Sequence, residues 1–175
     1  MADQRLVVVG ASLAGLRAVE AARKHGHTGP ITLIGAERHL PYDRPPLSKQ
    51  YFDASVEAVA PWFREESHLR DDLAVELLLG EPATGLDPER RLVRVGDREV
   101  PYDLLVIATG VAARHLPGID PTTPGVHGLR TLDDAAAIRA GMDRGDRVVV
   151  VGCGFIGSEV ASALHQRGRR VTLVE

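Results

Sequence analysis

The sequence predicts an α/β fold with parallel strands, and two stretches of the chain carry that prediction. Residues 6–9 and 148–151 are runs of apolar side chains, the pattern of a strand buried on both faces of a sheet. A glycine turn, a segment with helical spacing and another apolar strand follow each run, ending near residues 34 and 174. Each stretch is therefore predicted to form a βαβ unit.

The first glycine turn predicts a dinucleotide site with an imperfect fingerprint. Gly10 and Gly15 take the outer positions of a Gly-x-Gly-x-x-Gly pattern, and Ser12 replaces the middle glycine. Such a turn aims backbone N–H groups and a helix N-terminus at a pyrophosphate. A serine narrows the space for phosphate but can donate a hydrogen bond. From these residues alone, a weakened dinucleotide site and an ordinary strand-to-helix turn both stay open.

The second turn has the complete pattern, with glycines at positions 152, 154 and 157. Glu175 follows where an acidic side chain takes the ribose 2′-hydroxyl of NAD and would repel the 2′-phosphate of NADP, which predicts NADH over NADPH. Two such units in one chain indicate that hydride passes between a flavin and a nicotinamide. The chain stops at a parallel strand with no neighbour coded after it, so we expect a truncated version of a longer protein.

Composition narrows the class of protein. A hydrophobic fraction of 44% suits a globular core, and a formal net charge of −3 argues against a nucleic-acid partner. The lone cysteine excludes a disulfide scaffold and suits a reducing compartment. No N-terminal apolar stretch is long enough for a membrane span. We therefore expect a cytoplasmic protein without membrane or nucleic-acid partners; its oligomeric state is not predicted.

The residues between the two units predict a proline-rich loop, short strands and a connection. Glu37 is the first acidic side chain after the strand at residues 31–34, so it is either the ribose partner of the first cofactor or a surface charge. Residues 73–79 are predicted as a strand, and short antiparallel strands follow over 83–100. Residues 103–107 form a buried strand that ends at Gly110, and a helix over about 133–142 is capped by Thr131 or Asp133.

The loop at residues 42–49, Tyr-Asp-Arg-Pro-Pro-Leu-Ser-Lys, resembles the flavin-contacting loop of the FAD-dependent ferredoxin reductases that serve oxygenases. These are the putidaredoxin and rhodocoxin reductase-like members of the pyridine nucleotide–disulfide oxidoreductase superfamily. The group also carries a Gly-x-Ser-x-Ala-Gly first turn, which Gly10, Ser12, Ala14 and Gly15 match. The resemblance spans the whole chain, yet covers less than half of a complete family member.

The resemblance implies a Rossmann-type FAD-binding domain with a small β-meander over residues 1–112. It implies a connection and the first βαβ unit of an NAD-binding Rossmann domain over residues 113–175. Judged singly, the Ala-Thr-Gly at 108–110 is only a strand ending at a glycine, and Arg130 an exposed arginine before a helix. The residues assigned to cofactor binding are Gly10, Ser12, Ala14, Gly15, Glu37, Arg44, Pro45, Lys49, Ala83, Ala108, Thr109, Gly110, Arg130, Gly152, Gly154, Phe155, Ile156, Gly157 and Glu175.

Lys49 and Glu159 are the residues that the resemblance places at the reacting ring. In similar reductases this lysine pairs with this glutamate beside the N5 edge of the flavin. A positive charge there would stabilise the electron density gained on reduction, and the ion pair would hold the lysine in place. Without the resemblance, a solvated loop end and a charge that favours the helix N-terminal end are the better interpretations.

The implied function is a flavoprotein oxidoreductase that passes hydride from NADH to FAD and then single electrons to a ferredoxin-type iron–sulfur protein. An NADH oxidase or rubredoxin reductase of the same fold, and a non-catalytic nucleotide-binding fragment, stay open as alternatives. The lone Cys153 excludes a disulfide reductase and is expected to pack within its turn, and the seven histidines have no metal-ligand spacing, so we expect no metal. The 175 residues alone are expected not to turn over.

Overall fold

A computed structural model of the chain describes residues 3–53, 55, 57–142 and 145–175. The chain divides into two compact units, the first comprising Met1–Asp43 and Trp62–Val111, the second Arg44–Pro61 and Ala112–Glu175. The predicted α/β fold is confirmed, whereas the domain boundary at residues 112–113 stays a prediction. In chain order the strands and helices are β1 Leu6–Val9, α1 Leu13–Lys24, β2 Ile31–Gly35, β3 Val75–Leu79, β4 Ala83–Asp87, β5 Leu92–Val95, β6 Arg98–Pro101, β7 Leu104–Ile107, α2 Leu132–Met142, β8 Arg147–Val151, α3 Phe155–Gln166 and β9 Arg170–Val174.

A four-stranded parallel sheet in the order β3-β2-β1-β7 is the centre of the first unit. The β1 residues alternate between its two faces. Leu6 and Val8 pack with Leu16 and Val19 of α1 in one core, and on the other face Val7 and Val9 pack with β5. The antiparallel meander β4-β5-β6 covers that second face. All four residues of β1 are therefore buried, as their unbroken apolar run predicts.

The second unit contains the parallel pair β8–β9 and helices α2 and α3. Helix α3 follows β8 directly and buries Val160 and Leu164, the two residues four apart that lie on one face. The segment 44–61 contributes two 3-10 turns, Pro45–Ser48 and Gln50–Phe52, and Phe52 is fully buried. The two turns thereby become part of the same compact unit as α3.

Two local differences from the sequence prediction have physical reasons. The strand predicted from Leu73 begins at Val75, because a π-helical turn over His68–Asp72 precedes it and Ala74 has a positive φ of 47°. Thr131 is the cap of α2: its Oγ1 accepts from the Asp134 N–H at 3.1 Å, and the Asp134 carboxylate accepts from the Thr131 N–H at 2.8 Å. This reciprocal pair is a capping box with aspartate in place of glutamate.

Within the described ranges, no helix has both the length and the apolar character needed to cross a membrane.

Candidate cofactor-binding site

The first glycine turn packs three backbone segments of the first unit against one another. Gly10 has a φ of +117°, and a Cβ added to it would lie 2.1 Å from the carbonyl oxygen of Ala108. A Cβ on Gly15 would lie 1.8 Å from the carbonyl oxygen of Gly10. The end of β1, the start of α1 and the end of β7 therefore meet without room for a side chain at either glycine.

The N-terminus of α1 carries no side-chain cap. Ser12 is the N-cap residue in an extended conformation, but its hydroxyl makes no capping hydrogen bond, and the first turn, which includes Ala14, has no acidic residue. The first N–H groups of the helix and its partial positive charge are therefore not used by the helix's own side chains. This arrangement fits the pyrophosphate of a dinucleotide.

Several other predicted residues lie at the same edge of the parallel sheet. Glu37 follows β2, and Thr109 and Gly110 follow β7, so all three lie at the carboxyl ends of parallel strands, as Gly10 does. Glu37 is half-buried, and its carboxylate accepts a hydrogen bond from the hydroxyl of Tyr42. Its carboxylate is thus held in a fixed position at this edge.

Ala83 lies elsewhere in the first unit. It begins β4 and packs against the core cluster that contains Val93 and Val95. Its contact with a cofactor stays a prediction, since the described contacts account for it as a core residue.

The second glycine turn has the same backbone path in the second unit. Gly152 has a φ of +103°, and a Cβ on Gly157 would lie 2.0 Å from the Gly152 carbonyl oxygen. Gly154 caps α3 without a side-chain hydrogen bond, and the first turn of α3 has no acidic residue. A Cβ on Gly154 would meet no atom within 4 Å. Nothing in the described chain therefore requires glycine at 154, whereas a phosphate approaching the backbone would.

The two residues after Gly154 are exposed at the start of α3. Phe155 is 92% exposed and Ile156 is 55% exposed. An aromatic side chain with so much free surface has almost no packing role in the described chain, which is typical of a contact surface.

Glu175 lies directly after β9 and reaches the second turn. Its Oε2 accepts a hydrogen bond from the Cys153 N–H at 2.5 Å, and this bond is the main cause that lowers the pKa of Glu175. The carboxylate is therefore ionised at neutral pH beside the glycine turn. Cys153, expected to pack within the turn, is instead exposed, and partial desolvation together with Glu175 raises the pKa of its thiol. A protonated thiol is a weak nucleophile.

Lys49 and Glu159 are brought together within the second unit. Lys49 lies between the two 3-10 turns, and its Nζ is 3.0 Å from Oε1 of Glu159 on α3. The hydroxyl of Ser48 donates to the other carboxylate oxygen, Oε2, at 2.6 Å. These two hydrogen bonds, Ser48 first, lower the pKa of Glu159. The pair lines an open groove of about 750 Å³ together with Gln50, Asp53, Cys153, Gly154, Phe155, Ser158, Ser162, Ala163 and Gln166.

Arg44, Pro45 and Arg130 lie close together in the chain's second unit. The Arg44 guanidinium donates from Nη1 to the carbonyl oxygen of Arg130 at 2.5 Å, and the Arg130 N–H donates to Asp134. Pro45 follows Arg44 as the first residue of a 3-10 turn, where its fixed φ suits the turn. The loop and the start of α2 are thereby joined by backbone and side-chain hydrogen bonds.

Sequence reasoning missed two arginines that hold this loop. Arg139 of α2 donates to the carbonyl oxygen of Tyr51, and Arg167 at the end of α3 donates to that of Phe52, each at 2.5 Å. No sequence signal marks them, because an arginine on a helix has the same pattern whether it is solvated or bound to a carbonyl. Ser48 was missed as well, although its position beside Lys49 is a signal that could have found it.

Among the residues that the structure describes, no group of three His, Cys, Asp or Glu side chains could hold a metal ion.

A glycine turn between a parallel strand and a helix, which both units contain, is typical of dinucleotide-binding α/β proteins. The family model of pyridine nucleotide-disulphide oxidoreductases matches residues 4–175, and the chain belongs to that family.

Proteins similar to this chain include ferredoxin reductases, which confirms the resemblance expected from the loop at 42–49. The chain is 39% identical to rhodocoxin reductase of Rhodococcus erythropolis over 171 residues, covering 97% of this chain and 40% of that protein. It is 41% identical to the ferredoxin–NAD(+) reductase component of the anthranilate 1,2-dioxygenase system of Burkholderia cepacia over 181 residues. That match covers 100% of this chain and 43% of that protein. The chain thus spans about two fifths of the length of these relatives.

A solved structure agrees with these relatives. The covalent putidaredoxin reductase–putidaredoxin complex matches with a TM-score of 0.88 and 34% identity, covering 99% of this chain and 42% of the matched chain.

Proposed function

We propose that this chain forms part of a flavoprotein reductase that passes hydride from NADH to FAD and then single electrons to a ferredoxin-type iron–sulfur protein. The observation that carries the proposal is the pair of glycine turns, each leading into a helix whose N-terminus has no side-chain cap and no acid in its first turn. One uncapped helix fits one pyrophosphate, so two such helices fit two dinucleotides.

The first turn is the proposed FAD site. Gly10 and Gly15 keep the backbone close enough for the N–H groups of α1 to face the pyrophosphate, and the Ser12 hydroxyl is available to donate to it. Glu37 is the proposed ribose partner, held by Tyr42. FAD, when bound, supplies the conversion of a two-electron hydride into single-electron transfers.

Lys49 is the proposed catalytic cation, with Glu159 as its partner. The low pKa of Glu159 keeps its carboxylate ionised at neutral pH, so the carboxylate holds the Lys49 ammonium in a fixed direction. A fixed positive charge stabilises negative charge that develops on a neighbouring group without reorganisation at the moment of reaction. Arg44 and Arg130, joined at the start of α2, are proposed to bind polar edges or phosphate of a cofactor.

The second turn is the proposed NADH site. The open space over Gly154 leaves room for a pyrophosphate, and Phe155 and Ile156 present apolar surface beside it. The ionised Glu175 favours a ribose with a free 2′-hydroxyl and repels a 2′-phosphate.

The electron acceptor is proposed from the names of the relatives. One relative is named rhodocoxin reductase, and another is named the ferredoxin–NAD(+) reductase component of a dioxygenase system. The matched solved complex contains putidaredoxin. We also propose that the reaction takes place in the cytoplasm, and the single cysteine, which suits a reducing compartment, supports this. Fractionation of cells that make the protein would check that placement.

The experiment that tests the proposal measures NADH oxidation, with and without a ferredoxin-type acceptor, by a purified protein that carries this chain at the full length of its relatives. We expect bound flavin, and ferredoxin reduction well above the rate with oxygen or rubredoxin. Lys49→Gln should lower kcat for ferredoxin reduction by roughly 100-fold, because a preorganised charge is lost. Lys24→Gln, at an exposed position of α1, is the matched control.

Three results would contradict the proposal in different ways. Protein that never retains flavin would favour a nucleotide-binding fragment without catalysis. Equal rates with oxygen alone would favour an oxidase, and a preference for rubredoxin would favour a rubredoxin reductase.

A further inference from the structure

We propose that Ser48 is a positioning residue, whose buried hydroxyl fixes the Glu159 carboxylate and, through it, the Lys49 ammonium. This inference rests on the proposed function, in which Lys49 acts on the cofactor. Ser48 is only 5% exposed, and it lines the same groove as Glu159. A buried hydroxyl needs a hydrogen-bond partner, and here the partner is a carboxylate.

The ion pair alone does not account for the geometry. The Lys49 side chain is 46% exposed and that of Glu159 is 32% exposed. An ion pair open to water to this degree is screened and holds its partners weakly. The Ser48 bond is shorter, at 2.6 Å, and ends on a charged acceptor, so it is the stronger restraint on Glu159.

The two oxygens of Glu159 are divided between neighbouring residues of the loop. Oε2 accepts from Ser48 and Oε1 faces Lys49. Because Ser48 fixes one oxygen, the rotation of the carboxylate is fixed as well, and the second oxygen is left pointing to the ammonium. The same hydroxyl lies 3.3 Å from the Pro45 carbonyl oxygen, but it has one proton, and the shorter contact takes it.

Ser48 itself is held from both sides. It ends a 3-10 turn that begins with Pro45 and Pro46, whose rings fix φ. Beyond Lys49, the carbonyl oxygens of Tyr51 and Phe52 accept hydrogen bonds from arginines of α2 and of the end of α3. The hydroxyl is therefore presented to α3 by a backbone that cannot easily move, which is what a positioning residue requires.

The test is a titration of the Glu159 carboxyl by carbon NMR in the protein without added cofactor, with Glu159→Gln used to assign its signal. The Ser48 hydroxyl stabilises the ionised form, so Ser48→Ala should raise the pKa of Glu159. The Ser48→Ala variant keeps the other titratable groups that line the groove, which are Lys49, Asp53 and Cys153. Ser48→Thr keeps the hydroxyl and should restore the wild-type titration. Ser162→Ala removes an exposed serine of the same groove and is the matched control.

A second measurement follows the lysine. The chain has two lysines, Lys24 and Lys49, so acylation of each can be counted by mass spectrometry with Lys24 as the internal reference. Ser48→Ala should make Lys49 react several-fold faster relative to Lys24, because the ammonium loses a fixed partner.

The outcomes separate this inference from the proposed function. If Glu159 titrates alike in wild type, Ser48→Ala and Ser162→Ala, or if Lys49 reactivity is unchanged, Ser48 is not a positioning residue. If FAD and NADH fail to bind while both effects of Ser48→Ala are seen, the positioning holds and the proposed function fails.

Discussion

The two glycine turns differ most at their middle position, where the first has Ser12 and the second has Gly154. The outer positions behave alike. Gly10 and Gly152 both have positive φ, and a Cβ on Gly15 or Gly157 would lie 1.8 or 2.0 Å from a carbonyl oxygen of its own turn. At the middle position neither residue is demanded by the chain, since Ser12 fits its turn and a Cβ on Gly154 would meet nothing within 4 Å.

This difference separates the requirements of folding from those of binding. The outer glycines are needed before any ligand arrives, because the backbone could not take the same path with side chains there. The residue type at the middle position is set by ligand binding and not by folding. A turn with serine at this position is therefore as well folded as one with glycine, and its serine can act as a donor to the phosphate.

The largest effect is expected from the last glycine of a turn. Gly157→Ala should destabilise the second unit by about 3 kcal/mol, because the new methyl group would overlap the Gly152 carbonyl oxygen. Gly154→Ala, three residues away and without such a contact, should cost less than about 1 kcal/mol. Denaturant unfolding of both variants measures the difference. Equal stabilities of Gly157→Ala and Gly154→Ala would contradict the distinction between outer and middle positions.

The next effect tests the middle position of the first turn. Ser12→Asp should lower FAD affinity by about 100-fold or more, since its carboxylate would repel the pyrophosphate and occupy the N–H groups of α1. Its stability should be kept or raised, because aspartate is a favourable N-cap and Ser12 makes no capping bond. Flavin absorbance after gel filtration, with Ser12→Asn as the uncharged control, measures the loss. A full flavin complement in Ser12→Asp would show that FAD does not bind at this turn.

Much of the fold could be predicted from the sequence because its signals are local. The apolar run of β1 is buried on both faces, and the positive φ at Gly10 and Gly152 occurs where the fingerprint has glycine. The same burial predicted for β7 and β8 is wrong, because within the described residues β7 is an edge strand and β8 pairs only with β9, and each leaves apolar side chains exposed. At the two glycine turns the backbone path requires glycine, so the glycine pattern is enough to predict the path. The start of β3 was missed by two residues, because the positive φ of Ala74 leaves no mark in a residue type that rarely adopts it.

The side-chain contacts of the candidate site could be predicted only in part. Lys49 and Glu159, 110 positions apart, were paired by resemblance and not by any pattern within the chain, and the structure brings their charges to 3.0 Å. The bonds of Arg139 and Arg167 to loop carbonyls could not be predicted, since a carbonyl is present at every residue and gives no sequence signal.

A smaller effect is expected at the middle position of the second turn. Gly154→Val should lower NADH affinity roughly tenfold, because its side chain would fill the open space that a pyrophosphate needs. Ser162→Ala, on the same helix, should leave the affinity unchanged. Fluorescence titration with NADH measures both. An unchanged affinity in Gly154→Val, with the fold intact, would mean that no ligand approaches the turn at this residue.

The acidic residues that follow the two units differ in the same way as the turns. Glu37 is half-buried and is held by the side chain of Tyr42, while Glu175 is exposed and is held by the backbone N–H of Cys153 in the turn itself. The second arrangement ties the carboxylate directly to the phosphate-binding turn. We therefore expect Glu175, and not Glu37, to control the choice between NADH and NADPH.

The smallest effect we predict is on that choice. Glu175→Gln should raise the affinity for NADPH relative to NADH about fivefold, a modest change because the carboxylate is exposed and its field is screened. Glu37→Gln is the matched control and should leave the ratio unchanged.

The lowered pKa of Glu175 sets the pH dependence of this preference. The carboxylate stays ionised through neutral pH, so the preference for NADH is constant there. It weakens only when acid protonates the carboxylate, below the ordinary range of a glutamate, and the same protonation removes the stability that its bond to the Cys153 N–H contributes. Binding titrations with both coenzymes at neutral and acidic pH measure this. A preference that changes near neutral pH, or one that survives in Glu175→Gln, would assign the discrimination to another residue.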